Sequence, residues 1–167
     1  MVEVAVVAEA LRSYAGQVVP PFNVYRIIEA RWPDAVITGR DLPDGIEEIL
    51  CLAKDRILIV YARSLSTADR RFAIAHAIGH LVFDADECRH CGRVVVDPAR
   101  EIRADDFARE LLVPDRALLN RVVMWPPEDD GDHDFYLDQV DMIASGFHVP
   151  PHLIDQRIRL LRTPARM

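Results

Sequence analysis

Two histidines four residues apart, in a run with little choice of secondary structure, constrain this chain more than anything else in it. Residues 66–83, STADRRFAIAHAIGHLVF, read as one helix. Ser66 with Asp69 three residues on is a serviceable capping box. Phe72, Ala75, Ile78, Leu81 and Val82 are apolar, and Ala73, Ile74 and Ala77 fill much of the rest. A helix apolar nearly all round is buried. His76 and His80 stack on one face, one turn apart. At that spacing two imidazoles can hold one metal ion, most often zinc; the competing reading is a pair of core histidines hydrogen-bonded to backbone or carboxylates. In the catalytic arrangement, H-E-x-x-H, the Glu is a general base. Here the run is His76-Ala77-Ile78-Gly79-His80. Both ligand positions are present, and Ala77 stands where the base belongs. Gly79 costs about 1 kcal/mol relative to Ala in mid-helix, which predicts a backbone or a ligand close against it.

A second helix supplies carboxylates. Asp97 reads as an N-cap and Pro98 as the first helical residue, opening a helix to about Leu112. Glu101, Ala104, Asp105, Ala108 and Leu112 share one stripe. The stripe is mostly small or apolar and should face the core, yet it carries two acids. Buried unpaired charge is expensive, and a shared metal ion resolves the cost. Glu101 can complete a His-His-Glu set with a fourth position open to water. Asp105, one turn on, can accept a hydrogen bond from the outer ring nitrogen of a metal-bound histidine. The alternative is a solvated face paired with Arg100, Arg103 or Arg109.

Around these helices the chain reads as α+β, a sheet of about three strands against a mainly helical body. Residues 4–15 form a helix that Gly16 can end, and Asn23 caps a second, VYRIIEARW, stopped by Pro33. Val36–Thr38 is a candidate strand. Ile46–Leu52 and Ile57–Tyr61 predict a hairpin, and the uniformly apolar ILIVY predicts cover on both faces. Val94–Val96 is β-prone. Helices are expected at 116–123, 135–145 and 151–161, separated by an acidic Pro/Gly loop at 125–134. That loop divides a core, 1–124, from a C-terminal helical subdomain, 125–167, too short to fold alone and hence docked.

Composition narrows the function. A net charge of −7 and 50% hydrophobic residues describe a folded protein without the clustered positive charge of a DNA-coating one. Arg157, Arg159, Arg162 and Arg166 read as a solvated helix face, so no direct nucleic-acid partner is expected. Three cysteines, an odd number, argue against a disulfide framework. Cys88-Arg89-His90-Cys91 is half of many zinc sites, but no matching pair accompanies it and Cys51 is alone, so these read as loop thiols. His133 and Tyr136 could reach a reaction oxyanion, and read instead as surface and packing residues. With no basic leader and no apolar run near the 18 residues or so of a membrane span, a soluble, cytoplasmic protein is expected.

Taken together, ILCLAKDRILIVY, SLSTADRRFAIAHAIGHLVF and EIRADDFARELLVP resemble the ImmA/IrrE family of metallopeptidases. The matching residues are Arg71, Phe72, Ala75, His76, Gly79, His80 and Leu81, then Glu101, Ala104, Asp105, Phe107, Ala108, Leu111, Leu112 and Pro114. The closing MIASGFHVPPHLIDQRIRLL extends the resemblance, which covers about residues 45–161. These are gluzincin-like zinc proteins associated with bacterial mobile elements and stress responses. The resemblance implies Zn²⁺ held by His76, His80 and Glu101, and cleavage of a partner protein, typically a helix-turn-helix transcriptional repressor. A sheet edge beside the metal would hold the substrate as an added strand. Ala77 is the departure: the family's Glu there takes a proton from the attacking water, and losing a general base costs about 10²–10⁴ in rate. The chain is therefore expected to bind zinc and to be nearly inert. Either a catalytic Glu has been replaced by Ala deliberately, or this is a natural pseudoprotease that binds or senses a partner without cutting it.

Overall fold

Local capping chemistry sets most of the element ends. The computed structural model describes residues 2–53, 56–85, 97–122 and 133–162. Helix α1 (Val2–Tyr14) gives way to Gly16 in the left-handed region, φ 66°. Helix α2 (Val24–Arg31) starts where the Asn23 side chain accepts hydrogen bonds from the Tyr25 and Arg26 amides. Helix α3 (Thr67–Phe83) opens on Ser66, whose Oγ accepts from the Asp69 amide and donates to the Asp69 carboxylate at 2.6 Å. Helix α4 (Pro98–Leu112) opens on Asp97, which accepts from the Ala99 amide, with Pro in the first turn. Helices α5 (Asp115–Val122), α6 (His133–Phe147) and α7 (Pro151–Arg162) complete the described chain.

Strands β1 (Val36–Arg40), β2 (Glu48–Ala53) and β3 (Arg56–Ala62) form one mixed sheet in the order β1-β3-β2. The predicted hairpin is β2–β3, antiparallel, with Leu50 opposite Ile59. β1 runs parallel to β3. In β2 the side chains alternate: Glu48, Leu50 and Leu52 turn toward protein, while Ile49, Cys51 and Ala53 are exposed. In β3, Ile59 is fully buried and Ile57 and Tyr61 pack on the core. Leu58 and Val60 on the other face are only half-buried, so the uniform apolarity of ILIVY overstated its cover. β2 and β3 lie against α3. The architecture is α+β and mainly helical, as expected.

The closest packing joins α3 to α4. A Cβ on Gly79 would lie 2.9 Å from the Ala104 Cα and 3.1 Å from its carbonyl oxygen. The mid-helix glycine is thus explained by the backbone of the neighbouring helix. Three arginines tie this pair to the rest. Arg12 donates to the carbonyls of Glu110 and Leu111, which the end of α4 would otherwise leave unpaired. Arg157 pairs with Glu110 and Asp115, so one member of the basic run is an internal tie. Arg71, itself buried, donates to the carbonyls of Phe22, Phe147 and His148. Buried side chains from α1, α2, β3 and every later helix belong to one contiguous core. Among the described residues no helix is long and apolar enough to cross a membrane.

Candidate metal centre

The 3.6-residue period of α3 puts His76 and His80 on one side, and the close crossing at Gly79 brings the first turn of α4 over them. The two Nε2 atoms are 3.0 Å apart. Glu101 completes the group, with Oε2 at 3.2 Å from His76 Nε2 and Oε1 at 3.5 Å from His80 Nε2. Tetrahedral coordination with bonds of about 2.1 Å has ligand-to-ligand edges of about 3.4 Å. The donor set therefore fits one ion with no rearrangement of backbone.

Tautomers sharpen this fit. His76 Nδ1 lies 2.9 Å from Asp105 Oδ1, and His80 Nδ1 lies 2.9 Å from Asp84 Oδ2. A carboxylate that accepts from Nδ1–H turns Nε2 of the neutral ring toward the group as an acceptor. Two Nε2 atoms and a carboxylate face one another, an arrangement that could hold a cation. The two supporting acids are themselves held. Arg103 pairs with the buried Asp84, and Arg109 bonds Asp105 at 2.9 Å. Burial opposes charge on His76, but the hydrogen bond to Asp105 and the negative charge of Glu48, Asp105 and Glu101 outweigh it and raise its pKa. The His76 hydrogen bond, aided by Arg109, draws Asp105 below the usual carboxylate range against the opposing effect of burial.

The sequence-predicted residues fall as follows. His76, His80 and Glu101 come together, and Asp105 stands behind His76. Glu101 and Asp105 are 43% and 36% exposed, so the acidic end of the stripe lies at the rim while Ala104, Ala108 and Leu112 fill the core. Ala77 is fully buried. Tyr136 donates to Asp155 at 2.7 Å and acts in packing; the His133 side chain, Cys88, Cys91 and the 94–96 run lie outside the described residues.

Two residues of the site escaped the sequence reading. Asp84 is four positions beyond His80, and that spacing was the available signal. Glu48 comes from the sheet. It shares its strand face with Leu50 and Leu52, so its carboxyl points at α3; Oε2 is buried with no hydrogen-bond partner among the described residues. Burial pushes this carboxyl up to about 8, and Glu101 and Glu47 add to the rise. His76 and a hydrogen bond from the Ala77 amide pull the other way. The parity of Glu48 with Leu50 and Leu52 was legible; its proximity to α3 was not.

A mixed sheet edge against a helix that presents paired imidazoles to a carboxylate from the next helix defines a metallopeptidase-like domain. Residues 27–159 match the family model of peptidase M78, described as the IrrE N-terminal-like domain, and the chain belongs to that family. Among solved structures it is similar to a Mycobacterium tuberculosis transcriptional regulator, with a TM-score of 0.67 and 19% identity over 99% of this chain. It spans about half of that protein, 49% of its length, and the likeness is one of fold. No curated protein matches the chain.

Proposed function

We propose that this chain is a zinc-binding peptidase domain of the M78 family that receives an extended segment of a partner protein. The observation that carries the reading is the convergence of His76, His80 and Glu101 at 3.0, 3.2 and 3.5 Å, with both outer ring nitrogens anchored on carboxylates. These three residues would hold Zn²⁺, and Asp105 and Asp84 would orient the imidazoles. The ion would supply Lewis acidity to the substrate carbonyl and lower the pKa of an attacking water. β2 lies at the sheet edge beside this site, where a substrate strand can add by main-chain hydrogen bonds. The partner class, a helix-turn-helix repressor, follows from the family resemblance, and a cytoplasmic setting suits it.

Position 77 carries a methyl group, so α3 offers no base of its own. On that ground a second reading stands beside the first: a domain that binds or senses its partner through the same cleft without cutting it. Elemental analysis tests the shared part, with one zinc per chain expected and none in His80→Ala. Ala77→Glu separates the two readings. Cleavage of a candidate repressor that appears or accelerates in the variant supports the enzyme; unchanged binding with no cleavage in either chain supports the binding module.

A further inference from the structure

A carboxyl group on the protein-facing side of an edge strand, among leucines, is costly unless something uses it. Glu48 is in that position, and its Oε2 is the only carboxylate oxygen among the described residues that is buried and unpaired. Its charged neighbours are His76, Glu101 and Glu47, the first two in the proposed ligand set, and the amide that bonds it belongs to Ala77, the residue at which the base is missing. Yet Glu48 is no member of the group whose donor atoms all lie within 4.8 Å of one another. Its carboxylate oxygens thus lie more than 4.8 Å from at least one of the three ligand atoms, as suits a group that acts on a water beside the ion rather than on the ion itself.

We propose that Glu48 is the general base of this site, reaching it from β2 beside Ala77, from whose amide it accepts a hydrogen bond. The proposal rests on the peptidase reading above. In hydrolysis the Glu48 carboxylate accepts one proton from the attacking water while the water oxygen bonds to the peptide carbonyl carbon. The proton then passes to the amide nitrogen as the C–N bond breaks, giving an acid and an amine and leaving Glu48 ionised again. The function that α3 has lost at position 77 is thereby supplied from the strand.

The test needs no identified substrate. Acetohydroxamic acid binds a catalytic metal ion while hydrogen-bonding the adjacent base, so its affinity for the zinc-loaded full chain reports on that base. Titration calorimetry is run on the unmodified chain, on Glu48→Gln and on Glu48→Gln/Ala77→Glu, with zinc content measured for each. Glu48→Gln is expected to keep its zinc and to bind acetohydroxamic acid about tenfold or more weakly, the worth of one charge-assisted hydrogen bond. The double variant is expected to regain most of that loss. Unchanged affinity in zinc-loaded Glu48→Gln overturns the proposal, as does loss of zinc from that variant, which would make Glu48 a ligand. A weakening that Ala77→Glu does not repair also overturns it, by assigning the effect to structure. Failure of the unmodified chain to take up zinc sinks the peptidase reading itself and is read separately from these.

Discussion

Two glutamates approach His76 from different elements, and their surroundings differ. Glu101 comes from the first turn of α4, is 43% exposed, and meets both histidines within 3.5 Å. Glu48 comes from β2, has an oxygen sealed from solvent, and finds no partner for it among the described residues. A carboxylate at the rim, facing two imidazole nitrogens, is suited to share a cation. A carboxyl with one oxygen buried and unpaired, outside the tight group of ligand atoms, is suited to exchange a proton. The amino acid is the same, and the element that carries it decides which task it can perform.

The largest expected effect breaks that contrast at the rim. Glu101→Ala removes one of three donors, and the purified protein is expected to lose stoichiometric zinc on dialysis, whereas Glu48→Gln retains it; elemental analysis distinguishes them. Next comes the pH dependence of the metal-free protein. The folded-state pKa of Glu48, about 8, lies above its ordinary value of 4.5. The native state therefore holds this proton over a range in which the unfolded chain has lost it. Stability is greatest below about pH 4.5 for this group alone and declines as pH rises toward 8, by an amount on the order of a few kcal/mol. Denaturant melts at pH 5 and pH 8 should show the decline in the unmodified chain and a smaller one in Glu48→Gln. An equal decline in both would remove Glu48 as its source.

Smaller effects follow from the acids behind the imidazoles. Asp84→Asn and Asp105→Asn should each weaken zinc binding about 10–100-fold. Asp84 should give the larger loss, because it is 2% exposed against 36% for Asp105 and water can replace it less readily. Competition with a chelator measures both. Smallest is Gly79→Ala. The new methyl meets the Ala104 backbone, and overpacking of that kind costs about 1–3 kcal/mol, offset in part by about 1 kcal/mol of helix propensity. A modest fall in Tm is expected. A rise would mean that α3 and α4 can separate freely.

What could be read in advance was whatever short-range chemistry decides. Asn23, Ser66 and Asp97 cap the helices that they were expected to cap, and Gly16 takes the left-handed turn assigned to it, because each answers to amides a few residues away. The His76–His80 spacing and the Glu101–Asp105 stripe were legible for the same reason, as one-turn repeats. Gly79 announced a close approach without saying of what; only the crossing helix identifies Ala104. The parallel pairing of β1 with β3 and the reach of Glu48 toward Ala77 depend on how distant segments meet, and no local pattern encodes them. Glu48 could be assigned to a face of its strand, but not to a neighbour.

Arg71 has a mechanical consequence. One guanidinium on α3, a turn and a half before the histidines, grips the carbonyl ahead of α2 and two more at the bend between α6 and α7, where His148 turns at φ 56°. The rod bearing both imidazoles is thereby moored near the beginning and the end of the described chain. Any sliding or rotation of that rod would break hydrogen bonds to points far apart in the sequence, so the closing helices help to hold the imidazole pair in place.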